Sequence, residues 1–495
     1  MPSPQGRRWT PRVLAVLVMA GAVLGVLPPA IGGVPPTVVR SVGIGLDRLV
    51  PDGGRSLRAP GAVALMPRKT WSEAVVTCAP IRFTMVGVTW RQGGESVIPA
   101  RVAWGTRDGL GRPVKLFADP DEAPDADSAE AATALSGTPP LWTGEARCAR
   151  VRLRLPAGEG MSDVRAVFIN TSGTATDPSP FDAVSSAMAR VWGMASPEPA
   201  AAITADPAII PRAGWGAKEG MRRCGNPDYA DDGVQMAYVH HTVNSNGYGK
   251  SKADDLIRGI YAYHVKGRGY CDIAYNFLID RFGRIFEGRY GGIDQPVIGA
   301  HAMGFNTGSV GVAALGTFTV TNPPKVMVKA FTRLLAWRLD VAHVRPTGTA
   351  VMTSGGGPAT KFDKGKEVTL AAISGHRDTG LTTCPGGRLY RRLRVIRRGA
   401  EAMGLPKIWN PTQSAEAVTI GTPVTFGASL SGSLTWTVEV RDFLGVVVNS
   451  GSGGGGAVSH SWTPTVPGTY SVSIKATNST TGAVAREATL SLTVS

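Results

Sequence analysis

Two histidines and a cysteine form a set of side chains able to hold a divalent metal: His240 in Val239-His240-His241-Thr242, and His376 and Cys384 at the two ends of a stretch running from Gly375 to Gly386. Imidazole nitrogen and thiolate suit Zn²⁺, and three protein ligands with a fourth position left to water make a catalytic site rather than a structural one. The first ligand ends an apolar run, Met236 to Val239, that reads as a buried strand; the other two close a polar, glycine-containing loop. Six of the seven histidines fall between Ile209 and His376, a crowding unlike surface decoration. A peptidase built on His-Glu-x-x-His is not indicated, because that motif is absent.

The elements that must position these residues follow from the surrounding pattern. A capping-box-like start at Ser251 to Asp254 precedes a helix with Leu256, Ile257, Ile260, Tyr261 and His264 on one face. Asp272 to Ile279 reads as a strand, Asp280 to Gly283 as a turn and Arg284 to Arg289 as the return of a hairpin. Ser309 to Leu315 adds a buried strand, and Lys325 to Val341 and Leu389 to Met403 two further helices. The expectation for residues 209–403 is a central mixed sheet flanked by helices.

On either side the period changes to two. Residues 55–170 alternate short apolar runs with turn signals; Arg150, Arg152 and Arg154 interleave with Val151, Leu153 and Leu155, which predicts an accessory β-sandwich. Residues 171–208 are rich in Ser, Thr, Ala and Pro, with one helical patch from Phe181 to Met194, and read as a linker. Residues 411–495 return to short strands with Gly-rich turns, an Ig-like β-sandwich.

At 495 residues with 43% apolar content the chain is multidomain and not disordered. Arg7, Arg8 and Arg12 precede an apolar run from Val13 to Leu27 that Pro28 and Pro29 end, so residues 1–34 read as an export signal or an uncleaved N-terminal anchor, with Arg7-Arg8 only a poor twin-arginine match. Secretion or attachment to the cell wall is the expected location. The net charge of +15 then points to anionic cell-wall polymers rather than nucleic acid. An oxidising setting turns paired cysteines into disulfides. Cys78 and Cys148 share the N-terminal region, and Cys224 and Cys271 flank His240, so this pairing leaves Cys384 for the metal.

Six motifs occur in register: His240-His241-Thr242, Asp272 to Phe277 (Asp-Ile-Ala-Tyr-Asn-Phe), Glu287-Gly-Arg289, Gly299-Ala-His301, Gly304-Phe-Asn306, and Gly375-His-Arg-Asp378 followed by Thr382-Thr-Cys-Pro-Gly386. With them residues 209–403 resemble the peptidoglycan recognition protein family, whose fold is shared with phage lysozyme-type N-acetylmuramoyl-L-alanine amidases. The resemblance implies Zn²⁺ on His240, His376 and Cys384, catalytic roles for Tyr275 and Thr382, a substrate groove containing His264, His301 and Asn306, and peptidoglycan as substrate. Thr382 stands where the phage enzymes carry lysine. Tyr270 stands where tryptophan is common, which bears on one groove wall. A phenol at Tyr275 can donate to a developing oxyanion. His241, next to a ligand on a strand, faces the other way and reads as packed structure. His264 can equally be a core histidine, and Asp378 either orients His376 or only forms the turn. The alternative function is peptidoglycan binding or surface tethering without cleavage. The N-terminal region is similar to the β-domain attached to bacterial members, and Trp462 to Tyr470 to the closing strands of Ig-like modules on bacterial surface proteins.

Overall fold

The computed structural model describes residues 37–45, 49–51, 71–74, 77–93, 99–106, 109–117, 122–154, 160–174 and 206–495. The expected export segment, 1–34, and the helical patch at 181–194 lie outside them.

The central sheet has six strands: β1 (Ile209–Ile210), β2 (Met236–His241), β3 (Phe277–Ile279), β4 (Ile285–Glu287), β5 (Ser309–Ala314) and β6 (Ile373–Gly375), in the order β1-β4-β3-β5-β2-β6. It is mixed: β3 and β4 form the antiparallel hairpin, while β5 runs parallel to β3 and β2, and β6 parallel to β2. All six residues of both β2 and β5 are buried, as near-continuous apolar runs in a doubly covered sheet require. Helices α2 (Lys325–Val341) and α3 (Leu393–Ala402) cover one face, where Phe331, Leu335 and Ile396 join Val239, Val312 and Ile279 in one core.

Helix α1 (Ala253–Ala262) covers the other face and is itself covered by the N-terminal sheet: Leu256, Ile257 and Ile260 share a core with Leu278 and Phe286 beneath and with Met85, Val167 and Ile169 above. A Cβ at Gly259 would come within 2.7 Å of Met85 Cε, so the Met85 side chain packs directly against the glycine backbone of α1. The N-terminal strands belong to one ten-stranded sheet around its own core of Phe83, Trp90, Val151, Leu153 and Phe168. It begins at Thr37–Gly45, before the expected start at 55, because that strand pairs with Gly160–Thr174, which in turn takes the first residues of the expected linker. The C-terminal strands likewise join one six-stranded sheet, starting at Ile408–Gln413, with its own core.

Four local expectations are corrected. Instead of a capping box, a 3₁₀ turn at Lys250–Lys252 leads into α1, no side chain caps it, and Asp254 and Asp255 sit in the first turn, where carboxylates favour the helix dipole. The strand expected from Asp272 is regular only over Phe277–Ile279. Upstream, side chains replace ladder partners: Ala274 N–H donates to His264 Nδ1 (3.0 Å), and Asn276 bonds Gly311 N–H and the Val297 carbonyl (2.8 Å each). The last helix is two, Gly387–Tyr390 and α3. In the C-terminal sheet, the glycines from 451 to 456 lie inside strand Val447–Trp462 rather than in a turn. Gly453 faces the Trp436 ring, where a Cβ would stand 2.4 Å away.

Candidate functional site

Alternation along β2 sends Val239 and His241 into the helix-covered core and Tyr238 and His240 to the opposite side. The parallel pairing of Val239 with Gly375 sets His376, the first residue after β6, beside His240, with ring centroids 4.5 Å apart. The loop then returns. Arg377 N–H donates to the Cys384 carbonyl (2.9 Å), Cys384 N–H to Thr382 Oγ1 (3.1 Å) and His241 N–H to Cys384 Sγ (3.4 Å). Cys384 Sγ ends 3.8 Å from His240 Nδ1, and one ligand atom from each of His240, His376 and Cys384 lies within 4.8 Å of the others.

This trio fits a metal on a further ground. Among the described residues neither ring nitrogen of the buried His376 has a hydrogen-bond partner, which in an imidazole at zero exposure is costly unless something else binds there. Burial pulls His376 down to about 4 and His240 well below the ordinary histidine value, so both are neutral, the form that ligates.

The surrounding residues are placed as follows. His301 Nδ1 lies 3.2 Å from His240 Nε2, so it stands behind that ligand and leaves His240 Nδ1 turned toward Cys384. Its ring fits because Gly311 and Gly299 lack side chains; a Cβ at Gly311 would lie 2.3 Å from it. His241 Nδ1 accepts from Phe318 N–H (3.2 Å) in the core. The Tyr275 ring is 5.5 Å from that of His240 and 5.8 Å from that of His264. His264 Nδ1 accepts from Ala274 N–H, which leaves its Nε2 as the other, buried ring nitrogen. The Asp378 carboxylate accepts from Gly375 N–H (2.9 Å) and the Tyr390 hydroxyl (2.6 Å), forming the turn. Asn306, expected in the groove, bridges two segments: its Oδ1 accepts from the N–H groups of His301 (2.7 Å) and Ala302 (2.9 Å), and its Nδ2 donates to the Ala123 carbonyl (3.0 Å) and Asp125 Oδ1 (2.7 Å). Thr382 is half-buried, its hydroxyl accepting from Cys384.

One site residue was not foreseen. Glu122, 6% exposed, arrives from the N-terminal region; its carboxylate accepts the Tyr275 hydroxyl and lies 3.8 Å from His264 Nε2. Burial works against its charge, but His264 and the Tyr275 hydroxyl outweigh that and hold the carboxyl below its ordinary value. The available signal was an acidic stretch, Asp119 to Glu130, in a strongly basic chain.

Residues 230–387 match the family model described as N-acetylmuramoyl-L-alanine amidase. One peptidoglycan-recognition protein of Drosophila simulans is 31% identical over 161 residues, 32% of this chain and 73% of that protein. The chain belongs to the peptidoglycan recognition protein family. Another relative in this family, peptidoglycan-recognition protein SC2 of Drosophila melanogaster, is 27% identical over 187 residues, 38% of this chain and 85% of that protein. Among solved structures, Drosophila PGRP-LB is similar at 27% identity over 37% of this chain and 91% of that one, with a TM-score of 0.29. The metal trio, Tyr275 and His301 all fall inside the family segment, whereas Glu122 precedes it.

Proposed function

We propose that this chain is an exported, zinc-dependent N-acetylmuramoyl-L-alanine amidase that hydrolyses the amide between the muramic-acid lactyl group and L-alanine of peptidoglycan. The observation that carries the proposal is the convergence of His240, His376 and Cys384, with two His376 nitrogens unpartnered among the described residues, beside the Tyr275 phenol. Zinc held there would supply a Lewis acid for the scissile carbonyl and lower the pKa of water toward about 7.

The chain's own residues do the rest. His301 fixes the ring of His240 through their 3.2 Å contact, as partners behind metal-bound histidines do. Neutral His240 and His376 are ready to ligate without losing a proton. The Tyr275 hydroxyl, once clear of Glu122, is placed to donate to oxygen developing negative charge. The Thr382 hydroxyl holds Cys384 N–H and so sets the thiol's approach. The surplus of positive charge suits anionic wall polymers.

Mass spectrometry of digested peptidoglycan tests this. Released stem peptides with a free L-alanine amine, lost on chelation and restored by zinc, are expected; binding of wall material with no released peptide would instead establish the non-catalytic alternative.

A further inference from the structure

His240, His376 and His301 have no exposed surface, and Tyr275 has 1%. A polymeric substrate cannot reach residues so enclosed, and among the described residues the segment 122–133 of the N-terminal region, lying between strands Val114–Phe117 and Ser136–Gly137, closes over Tyr275 and His264.

This segment lies in the site as a peptide ligand would. The Glu122 carboxylate takes the Tyr275 hydroxyl, and its main-chain carbonyl accepts from Tyr270 and from Arg268 Nη2 (3.0 Å). Ala123 is buried among Tyr270, Ala274 and Ala300. Asp125 Oδ1 accepts from Gly304 N–H and Asn306 Nδ2, both at 2.7 Å. Glu130 accepts from Cys271 N–H (2.7 Å) and pairs with Arg289. Three carboxylates thus meet main-chain N–H groups, a phenol, an amide and a guanidinium, with a small apolar residue between the first two.

We infer that residues 122–133 are an intramolecular pseudo-ligand that closes the groove, and that the groove, once opened, takes a short peptide carrying carboxylates at intervals and small side chains between them. The identity of the competing ligand rests on the peptidoglycan reading above; the closure does not. A tethered occupant competes at high effective concentration, so a chain open only one-hundredth of the time binds its ligand about 100-fold more weakly than an open one.

The test compares the full-length parent with Glu122→Ala/Asp125→Ala, measuring calorimetric affinity for a soluble N-acetylmuramoyl tripeptide and release of free L-alanine amines. The double variant is expected to bind at least about 10-fold tighter and to cleave faster. Equal or weaker binding by the variant overturns the closure. Tighter binding with no amine release keeps the closure and removes the hydrolytic reading; equal binding with equal cleavage does the reverse. Should the variant fold poorly, hydrogen exchange on the parent decides: saturating tripeptide should speed exchange of amides from 122 to 134, and unchanged or slowed exchange there refutes displacement.

Discussion

The Tyr263 hydroxyl donates to the main-chain carbonyl of Thr138 at 2.8 Å, joining the helix-covered side of the central domain to the N-terminal sheet. The Val88 carbonyl lies 3.2 Å from the same hydroxyl, and the ring lies over Gly87, where a Cβ would come within 2.3 Å. Tyr263→Phe keeps the packing but takes the donor from the buried Thr138 carbonyl, while the Val88 carbonyl keeps the Thr138 N–H (2.9 Å), a loss of roughly 1–3 kcal/mol. Chemical denaturation should show that loss as a lower midpoint; an unchanged midpoint would mean that water reaches the seam between the two regions.

Cys384→Ser replaces a thiolate by a poor zinc donor inside the trio. Zinc content, near one equivalent in the parent, should drop at least about tenfold with cleavage lost, while far-ultraviolet dichroism stays parental. A variant that retains full zinc would remove Cys384 from the ligand set.

Tyr275→Phe deletes the hydroxyl now held by Glu122 while keeping a ring that packs beside His240 and His264. Loss of one oxyanion donor lowers kcat on the order of 10²–10³-fold. KM should not rise, because the same change also removes a bond that holds the acidic segment down. Parental turnover would leave the ring a packing role alone.

Burial holds His241 and His376 at about 4 and His301 at about 3, against 6.5 for an ordinary histidine. Between pH 6.5 and 4 the unfolded chain therefore binds protons that the folded chain does not, so stability falls as pH falls through this window, by on the order of 3 kcal/mol for a group shifted this far. Metal-free protein scanned by calorimetry should melt progressively lower from pH 7 to 4; a flat profile would show these histidines to be solvated.

A disulfide joins Cys224 and Cys271, 47 residues apart in sequence. Cys148 is also disulfide-bonded, and Cys78 stands opposite it in the antiparallel register. Constraining a loop of the first length removes about 4 kcal/mol of chain entropy from the unfolded state. Reductant should therefore lower the denaturation midpoint, and non-reducing peptide mapping should recover Cys78 with Cys148; a fragment linking Cys384 to either pair would upset the ligand assignment.

Periodicity by itself determined the buried strand that ends at His240-His241, the hairpin around Asp280 to Gly283 and the helix from Lys325 to Val341, because those patterns are local and each element buries the face its own spacing defines. Residue types and order likewise marked His240, His376 and Cys384 before any fold was known. Tertiary structure decided what local spacing does not encode. Asp272 to Asn276 leaves the strand because His264, Gly311 and Val297 supply its partners from elsewhere in the chain, and the glycines from 451 to 455 become strand because they pair with Leu434 to Val438. Asn306 clamps two segments of the chain together through partners about 180 residues upstream. Glu122 reaches Tyr275 across 153 residues. A carboxylate in a polar stretch carries no local mark of such a destination; only the docking of the N-terminal sheet onto helix Ala253–Ala262 brings it there.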